Sequence, residues 1–463
     1  ADSYDPKYAK WRYDDLPILP EHWQMVVGKD KKKQFDILKK LMNAPDVTEV
    51  VNACDAGREG ELIFKHVYDL SGSKKPVKRL WISSLEDSAI LDGMQHLRSA
   101  EEYRHLAEAA VCRSQADWLV GMNATRAYTT KYFKKLTVGR VQTPTLAMLV
   151  ERAGQISNFQ KEKYFNVELD CDGIPAVKPK IFDPDEAEQL RSRCQGSEAI
   201  VTAVKETEKK VKAPKLYDLT TLQREANRIY GMTAKQTLDT AQSLYEKKLI
   251  TYPRTDSQYL TEDMEQTARN VVRQIYEKYQ LTGPFDQPEQ PDVKKVMNNS
   301  KVTDHHAIIP TMELASCHLG ELKSWEEKIL FLIAVHTVMA MSKDHIYQET
   351  EIEVECQEEI FKAKGKIVLQ DGWKLFENCF KNKDRMAIVD PDQEMKERMP
   401  KVTQGQTFYA VAAEKTEHFT SPPKPYSEDT LLAAMETAGN KEFDEDTEKK
   451  GLGTPATRAA IIE

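Results

Sequence analysis

A multidomain protein that mixes α/β and α+β parts is what this sequence predicts, on three observations. At 463 residues the chain is too long for a single core, and its length implies about two to four domains. Its opening part alternates strand, loop, helix and strand. Further on, two strand-rich stretches flank a helical block, the pattern of a β-rich domain interrupted by an insert.

The elements follow in order. Glu49–Cys54 is a short apolar strand that runs into Asp55-Ala-Gly-Arg-Glu-Gly-Glu61. A helical stripe follows, Leu62, Ile63, His66, Val67 and Leu70, and Lys78–Ile82 is the next strand. In such sheets ligands sit at the carboxyl ends of strands, where Asp55 falls. From Ser84 to Gln155 the pattern is helical throughout. Tyr164–Ile200 and Glu351–Ala413 are the two strand-rich stretches. Between them, Thr220–Gln223 has the form of a capping box, and Leu222, Ala226 and Ile229 make a helical stripe that Gly231 stops. Thr233–Gln236 is a second capping box, for a helix ending near Lys248. Two helices on a tight glycine turn fit both a DNA-binding helix-turn-helix and an ordinary helical pair. Ile329–Met341 is a buried core helix.

Apolar residues make up 40% of the chain and charged residues 30%, as in a soluble globular enzyme rather than a disordered or fibrous chain. No apolar run reaches the roughly 18 residues of a membrane-spanning helix. A net charge of −8 argues against a generally basic nucleic-acid binder. Locally the balance reverses: Gly121–Met148 carries Arg126, Lys131, Lys134, Lys135 and Arg140 and no acid, which fits either a solvated face or an anionic partner. The seven cysteines, Cys54, Cys112, Cys171, Cys194, Cys317, Cys356 and Cys379, form no CxxC pair, which excludes a zinc ribbon and points to a reducing, cytoplasmic setting. The first and last lines read as the middle of longer elements, so a fragment is expected.

Three clusters carry chemistry. Asp55 and Glu59, at a strand end and in the first turn of the next helix, suit Mg²⁺ with water and phosphate completing its shell. Acids complementing a helix dipole are the alternative and explain one or two of them, but three acids and an arginine in the seven residues Asp55–Glu61, at a strand end, favour a metal or phosphate site. Tyr252 precedes Pro253, which favours an extended backbone and places Arg254 on the same side. A phenol is a poor nucleophile at neutral pH unless its phenolate is stabilised, and a neighbouring guanidinium does that and also grips a phosphodiester. Asp304-His305-His306 is open to three readings: metal ligands, core histidines, or phosphate hydrogen-bonding if the loop returns to Tyr252.

Taken together, Asp55-Ala-Gly-Arg-Glu-Gly-Glu61, Gly139-Arg-Val-Gln-Thr-Pro144, Ile250-Thr-Tyr-Pro-Arg-Thr-Asp-Ser257, His305-His-Ala-Ile-Ile-Pro-Thr311 and Gly451-Leu-Gly-Thr-Pro-Ala-Thr-Arg458 resemble the type IA DNA topoisomerases, in particular the bacterial topoisomerase III branch. The motifs occur in the family's order over about residues 50–460.

The resemblance implies a torus. Residues 1–95 would be a Toprim α/β domain; 96–158 with 422–463 a helical single-strand-binding domain; 159–214 with 350–421 a β-rich arch; and 215–349 a helical gate. It implies a Mg²⁺-dependent, ATP-independent transesterase in which Tyr252 forms a 5′-phosphotyrosine, assisted by Arg254 and His305. Asp55 and Glu59 would hold the metal. Arg113, Asp117, Val138, Gly139, Arg140, Val141, Gln142, Thr143, Arg254 and Arg458 would contact DNA. Its substrates would be single-stranded, negatively supercoiled or catenated DNA, and its partners a helicase and a single-strand-binding protein. A monomer at the nucleoid is expected. Tyr128, Tyr132 and Phe133 are candidates for stacking on bases or for helix packing.

The chain departs from the family pattern in three ways. Gly57 stands where many members have a middle acid, with Glu61 as a candidate substitute. The first Toprim strand is missing, and is expected just before Ala1. No zinc ribbon occurs within these residues, and a C-terminal extension beyond them is compatible with the pattern. Two rivals remain: a Toprim-type nuclease or primase-like enzyme that does not need Tyr252, and a non-catalytic DNA-binding protein.

Overall fold

The computed structural model describes residues 1–82, 87–281, 291–302, 305–377, 400–440 and 451–463. Asp304 and Cys379 lie outside the described residues.

The opening part contains α1 (Lys32–Met42), β1 (Val50–Asn52), α2 (Arg58–Ser71), β2 (Val77–Arg79), α3 (Asp87–Gln95) and β3 (Arg98–Ser99). β1 and β2 pair in parallel and β3 adds antiparallel to β2. The stretch from Ser84 is therefore not helical throughout, and the first sheet reaches Ser99, past residue 95. Both residues of β3 are exposed, so no alternation of apolar side chains announced it.

Two helices follow, α4 (Arg104–Tyr132) and α5 (Gln142–Ser157). Next come β4 (Lys163–Cys171), β5 (Ile174–Ile181), α6 (Pro184–Cys194) and β6 (Ala199–Val211). Phe165, Val167, Leu169 and Cys171 of β4 are buried at every second position, as a strand with one face on a core requires.

The helical block holds α7 (Leu219–Tyr230), α8 (Ala234–Glu246), α9 (Glu265–Tyr279) and α10 (Ser324–Ala340). Gly231, at φ +67, ends α7, because a left-handed cap suits a residue without Cβ. The Thr233–Gln236 capping box starts α8. The box at Thr220–Gln223 does not form. Asp218 caps α7 by accepting from the Thr221 N–H, and Thr220 and Gln223 are buried inside the helix. α10 is apolar on all sides and accordingly lies in the core.

The chain then returns through β7 (His345–Cys356), β8 (Glu359–Gln370), β9 (Thr407–Phe408) and β10 (Ala412–Phe419). Strands from both strand-rich stretches make one seven-stranded antiparallel sheet, ordered β10-β4-β5-β8-β7-β6-β9. β6 leads into the helical block and β7 leads out of it, and the two are paired as far as Val211 and His345. Last come α11 (Glu428–Thr437) and α12 (Pro455–Ile462). They pack on α7 and α8 through Leu219, Ala234, Leu238, Leu432 and Ala459. Among the described residues, no helix is long and apolar enough to cross a membrane.

Candidate active site

Tyr252 is placed by backbone pairing. After α8, the segment carrying Leu249–Thr251 runs beside Ile309–Thr311: Thr251 N–H donates to Ile309 O at 3.0 Å, and Thr311 N–H to Leu249 O at 3.0 Å. Thr251 Oγ1 donates to Ala307 O, and Thr255 Oγ1 donates to His305 O at 2.9 Å. These bonds bring the histidine loop back to the tyrosine. The rings of Tyr252 and His305 stand 4.3 Å apart between centroids, and Tyr245 meets Tyr252 edge-on at 5.3 Å. His306 is a core histidine, buried, with Nδ1 2.8 Å from Ala307 O.

The acids come from the other side. Gly60 lets α2 begin against the end of β1, because a Cβ there would lie 2.0 Å from Asp55 O. Asp55 and Glu59 are exposed, and Glu59 lies 3.5 Å from Arg113 Nη1. Glu61 cannot stand in for the acid absent at position 57. It is buried and paired at 2.6 Å with Arg79 Nε. Arg79 also donates to the carbonyls of Asn52, Cys54, Leu80 and Asp55. It therefore ties both strand ends to the loop that bears the acids.

A cleft of about 1170 Å³ joins the two halves. Asp55, Glu59, Arg113, Tyr252, Arg254, His305 and Arg458 line it. Burial and the Asp55 carboxylate push the Tyr252 phenol up, opposed by Arg254. Burial holds the His305 imidazole below its usual range, against the pull of Asp55 and Asp256. At neutral pH the phenol therefore keeps its proton and the imidazole is neutral. Among the described residues no group of three or more acids, histidines or cysteines is arranged to hold a metal. Two open carboxylates fit Mg²⁺, which keeps waters and binds through one or two carboxylates plus phosphate oxygens.

The expected DNA contacts divide into two groups. Asp117, Val138, Gly139, Arg140, Val141, Gln142 and Thr143 do not line the cleft. Arg140 Nε pairs with Asp117 Oδ1 at 2.6 Å, and Gln142 and Thr143 are exposed at the start of α5. Val141 is a core residue packed with Leu431 and Met435, which leaves its backbone to make any contact. Arg458 reaches the cleft wall but is 3% exposed; it donates to Leu452 O and, at 3.0 Å, to Thr220 Oγ1. Its place is set by Gly451 at φ +64, where a Cβ would come within 2.3 Å of the α11 backbone. Sequence reasoning did not assign Arg58, Asp218, Asp256, Glu436 or Thr454, which also line the cleft. Arg58 was visible inside the acidic motif. Asp218, pushed up to about 6 by burial, carried no signal beyond its place before a helix.

The fold resembles that of full-length topoisomerase I from Thermotoga maritima, with a TM-score of 0.66 and 24% identity, over 94% of this chain and 68% of that one. In sequence the chain is 40% identical to the proteins named DNA topoisomerase 3 of Bacillus licheniformis and Bacillus subtilis, over 487 and 481 residues. It aligns over 100% of its own length and spans 65% of each relative. The model of the family described as DNA topoisomerase matches residues 101–463, most of the chain, and the chain therefore belongs to the DNA topoisomerase family.

Proposed function

We propose that this chain is the catalytic part of a type IA DNA topoisomerase of the topoisomerase III kind. The observation that carries this reading is the cleft in which Tyr252, Arg254 and His305 face Asp55 and Glu59. A nuclease that used only the acids would have no need of the tyrosine.

In this reading the Tyr252 oxygen attacks a backbone phosphorus in single-stranded DNA. The Tyr–O–P bond forms, the P–O3′ bond breaks, and the 3′ oxygen leaves as a hydroxyl, taking up through the cleft one proton in balance with the one that the phenol gives. The phenol's proton passes to a carboxylate or water of the cleft. Arg254 holds the phosphate oxygens and favours the phenolate. His305, neutral and beside the ring, hydrogen-bonds the phosphate. The phosphotyrosine conserves the energy of the broken ester, so religation needs no ATP, and the sequence contains no GxxxxGK[ST] loop. Asp55 and Glu59 would hold Mg²⁺, which when bound supplies positive charge for phosphate and holds the DNA ends in place.

The wider reading follows the same line. The opening part would be a Toprim domain, the helical block a gate in a torus, and the paired strands β6 and β7 its hinge. Negatively supercoiled and catenated DNA would be the substrates, with a helicase and a single-strand-binding protein as partners, in a monomer at the bacterial nucleoid.

Covalent trapping tests the proposal. The complete protein is incubated with 3′-labelled single-stranded DNA and Mg²⁺, denatured, and run beside Tyr252→Phe. A labelled protein band that Tyr252→Phe abolishes is expected. DNA binding without any adduct would favour a non-catalytic protein, and cleavage that survives in Tyr252→Phe would favour a nuclease.

A further inference from the structure

The far end of α4 carries a patch that the cleft does not use. Phe133 caps this helix in a left-handed conformation, at φ +53, which is unusual for a bulky residue. The residue is 95% exposed. Tyr132 and Tyr128 beside it are 62% and 51% exposed, and their rings stack on each other. Lys131, Lys134 and Lys135 surround them, all exposed, in the stretch without acids noted above. The chain beyond Phe133 turns back along α4 and is pinned there. Leu136 N–H donates to Thr129 Oγ1, and Val138 N–H to Thr125 Oγ1, each at 3.0 Å. This return delivers Gly139–Thr143 to Asp117, and the platform and the expected DNA-binding segment are thus one continuous strip.

A protein of net charge −8 that keeps exposed rings among lysines and excludes acids offers a surface to an anion with flat faces. Single-stranded nucleic acid has both, phosphates for the lysines and bases for the rings. We propose that Phe133 and Tyr132, with Lys131, Lys134 and Lys135, form a distal single-strand DNA platform that holds the strand leading away from the cleft. The proposal rests on the topoisomerase reading. Arg113 lies at the cleft and Tyr132 is 19 positions further along the same helix. At 1.5 Å per residue that is about 28 Å, or about eight nucleotides at a 3.4 Å rise.

The test measures affinity by fluorescence anisotropy, using the complete protein with oligonucleotides of about six and about 20 nucleotides, the shorter being unable to span that distance. Phe133→Ala is expected to weaken the long strand about tenfold, the scale of one base–aromatic stack, and to leave the short strand's affinity unaltered. An abasic long strand should remove the difference. Replacing Lys131, Lys134 and Lys135 by Gln should lower the salt dependence of long-strand binding by about 0.7 for each phosphate no longer neutralised. Equal long-strand affinity in Phe133→Ala overturns the proposal. So does unchanged binding with a lowered melting temperature, which would assign the ring to packing against another part of the protein. Trapping run in parallel separates the two readings: absence of an adduct from the unaltered protein defeats the topoisomerase reading, whereas an adduct with equal affinities defeats only the platform.

Discussion

Around Tyr252 the chain buries a continuous apolar core, with Leu222, Val271, Leu330 and Ile333 at 0% exposure. Around Asp55 and Glu59 it buries little beyond Val50, Ala56 and Leu80 among the described residues, and Arg79 ties the strand ends together. The tyrosine stands on packing and the acids stand on one guanidinium. The platform of the acids is therefore the one that a single polar change can dismantle, while the tyrosine platform yields to a cavity in its core.

The sharpest way to break this comparison is Arg79→Met. It leaves the buried Glu61 carboxylate without its countercharge and with only the longer hydrogen bond from Asn52, at a cost of about 3–5 kcal/mol. Hydrogen exchange should show the amides of Val50–Asn52 losing protection while those of Ile329–Ala340 keep theirs. Equal loss in both regions would mean that the two platforms share one core. Ile333→Ala should act in the opposite sense, costing about 3 kcal/mol in urea unfolding of the helical block through the cavity it leaves.

A smaller effect is expected at Asp218. Burial raises its folded pKa to about 6, above the ordinary 3.8. The folded state thus holds the proton more tightly, and the stability this confers is complete below about pH 4 and lost as pH rises through about 6. Asp218→Asn retains the cap on α7 and removes the buried charge. Its melting temperature should vary less between pH 4 and 6, with a gain on the order of 2 kcal/mol at pH 7. An unaltered slope would place the titration elsewhere.

The smallest effect is Gly57→Asp. The backbone there is fully extended, at φ −178, and α2 has no side-chain cap. Aspartate should stabilise the helix by about 1 kcal/mol as a cap and lower the Mg²⁺ concentration needed for half-maximal adduct. Stabilisation with an unchanged Mg²⁺ response would leave the residue a cap alone.

The parts legible in the sequence were those governed by neighbouring residues. Gly231 stops α7, the Thr233 box starts α8, and the apolar run of α10 lies in the core, as their local chemistry demands. What escaped was decided at a distance. Thr220–Gln223 has the form of a capping box, but Thr220 is buried and accepts from Arg458 of α12, Gln223 is buried and donates to Ala234 O of α8, and Asp218 takes the cap. Glu59 and Glu61 look equivalent until Arg79, on the next strand, claims one of them. The approach of His305 to Tyr252 depends on backbone pairing across more than fifty residues, which neither motif contains. Val141 sits in a segment expected to touch DNA, yet a helix near the chain's end buries it.

The most direct measurement compares two variants, in DNA affinity and in adduct yield at saturating DNA. Tyr252→Phe should bind 3′-labelled single strands normally and form no adduct. Arg140→Ala, which removes a cation outside the cleft, should bind more weakly and recover its adduct at saturation. An adduct from Tyr252→Phe, or none from saturated Arg140→Ala, would contradict the division between a cleft that cuts and a strip along α4 that holds.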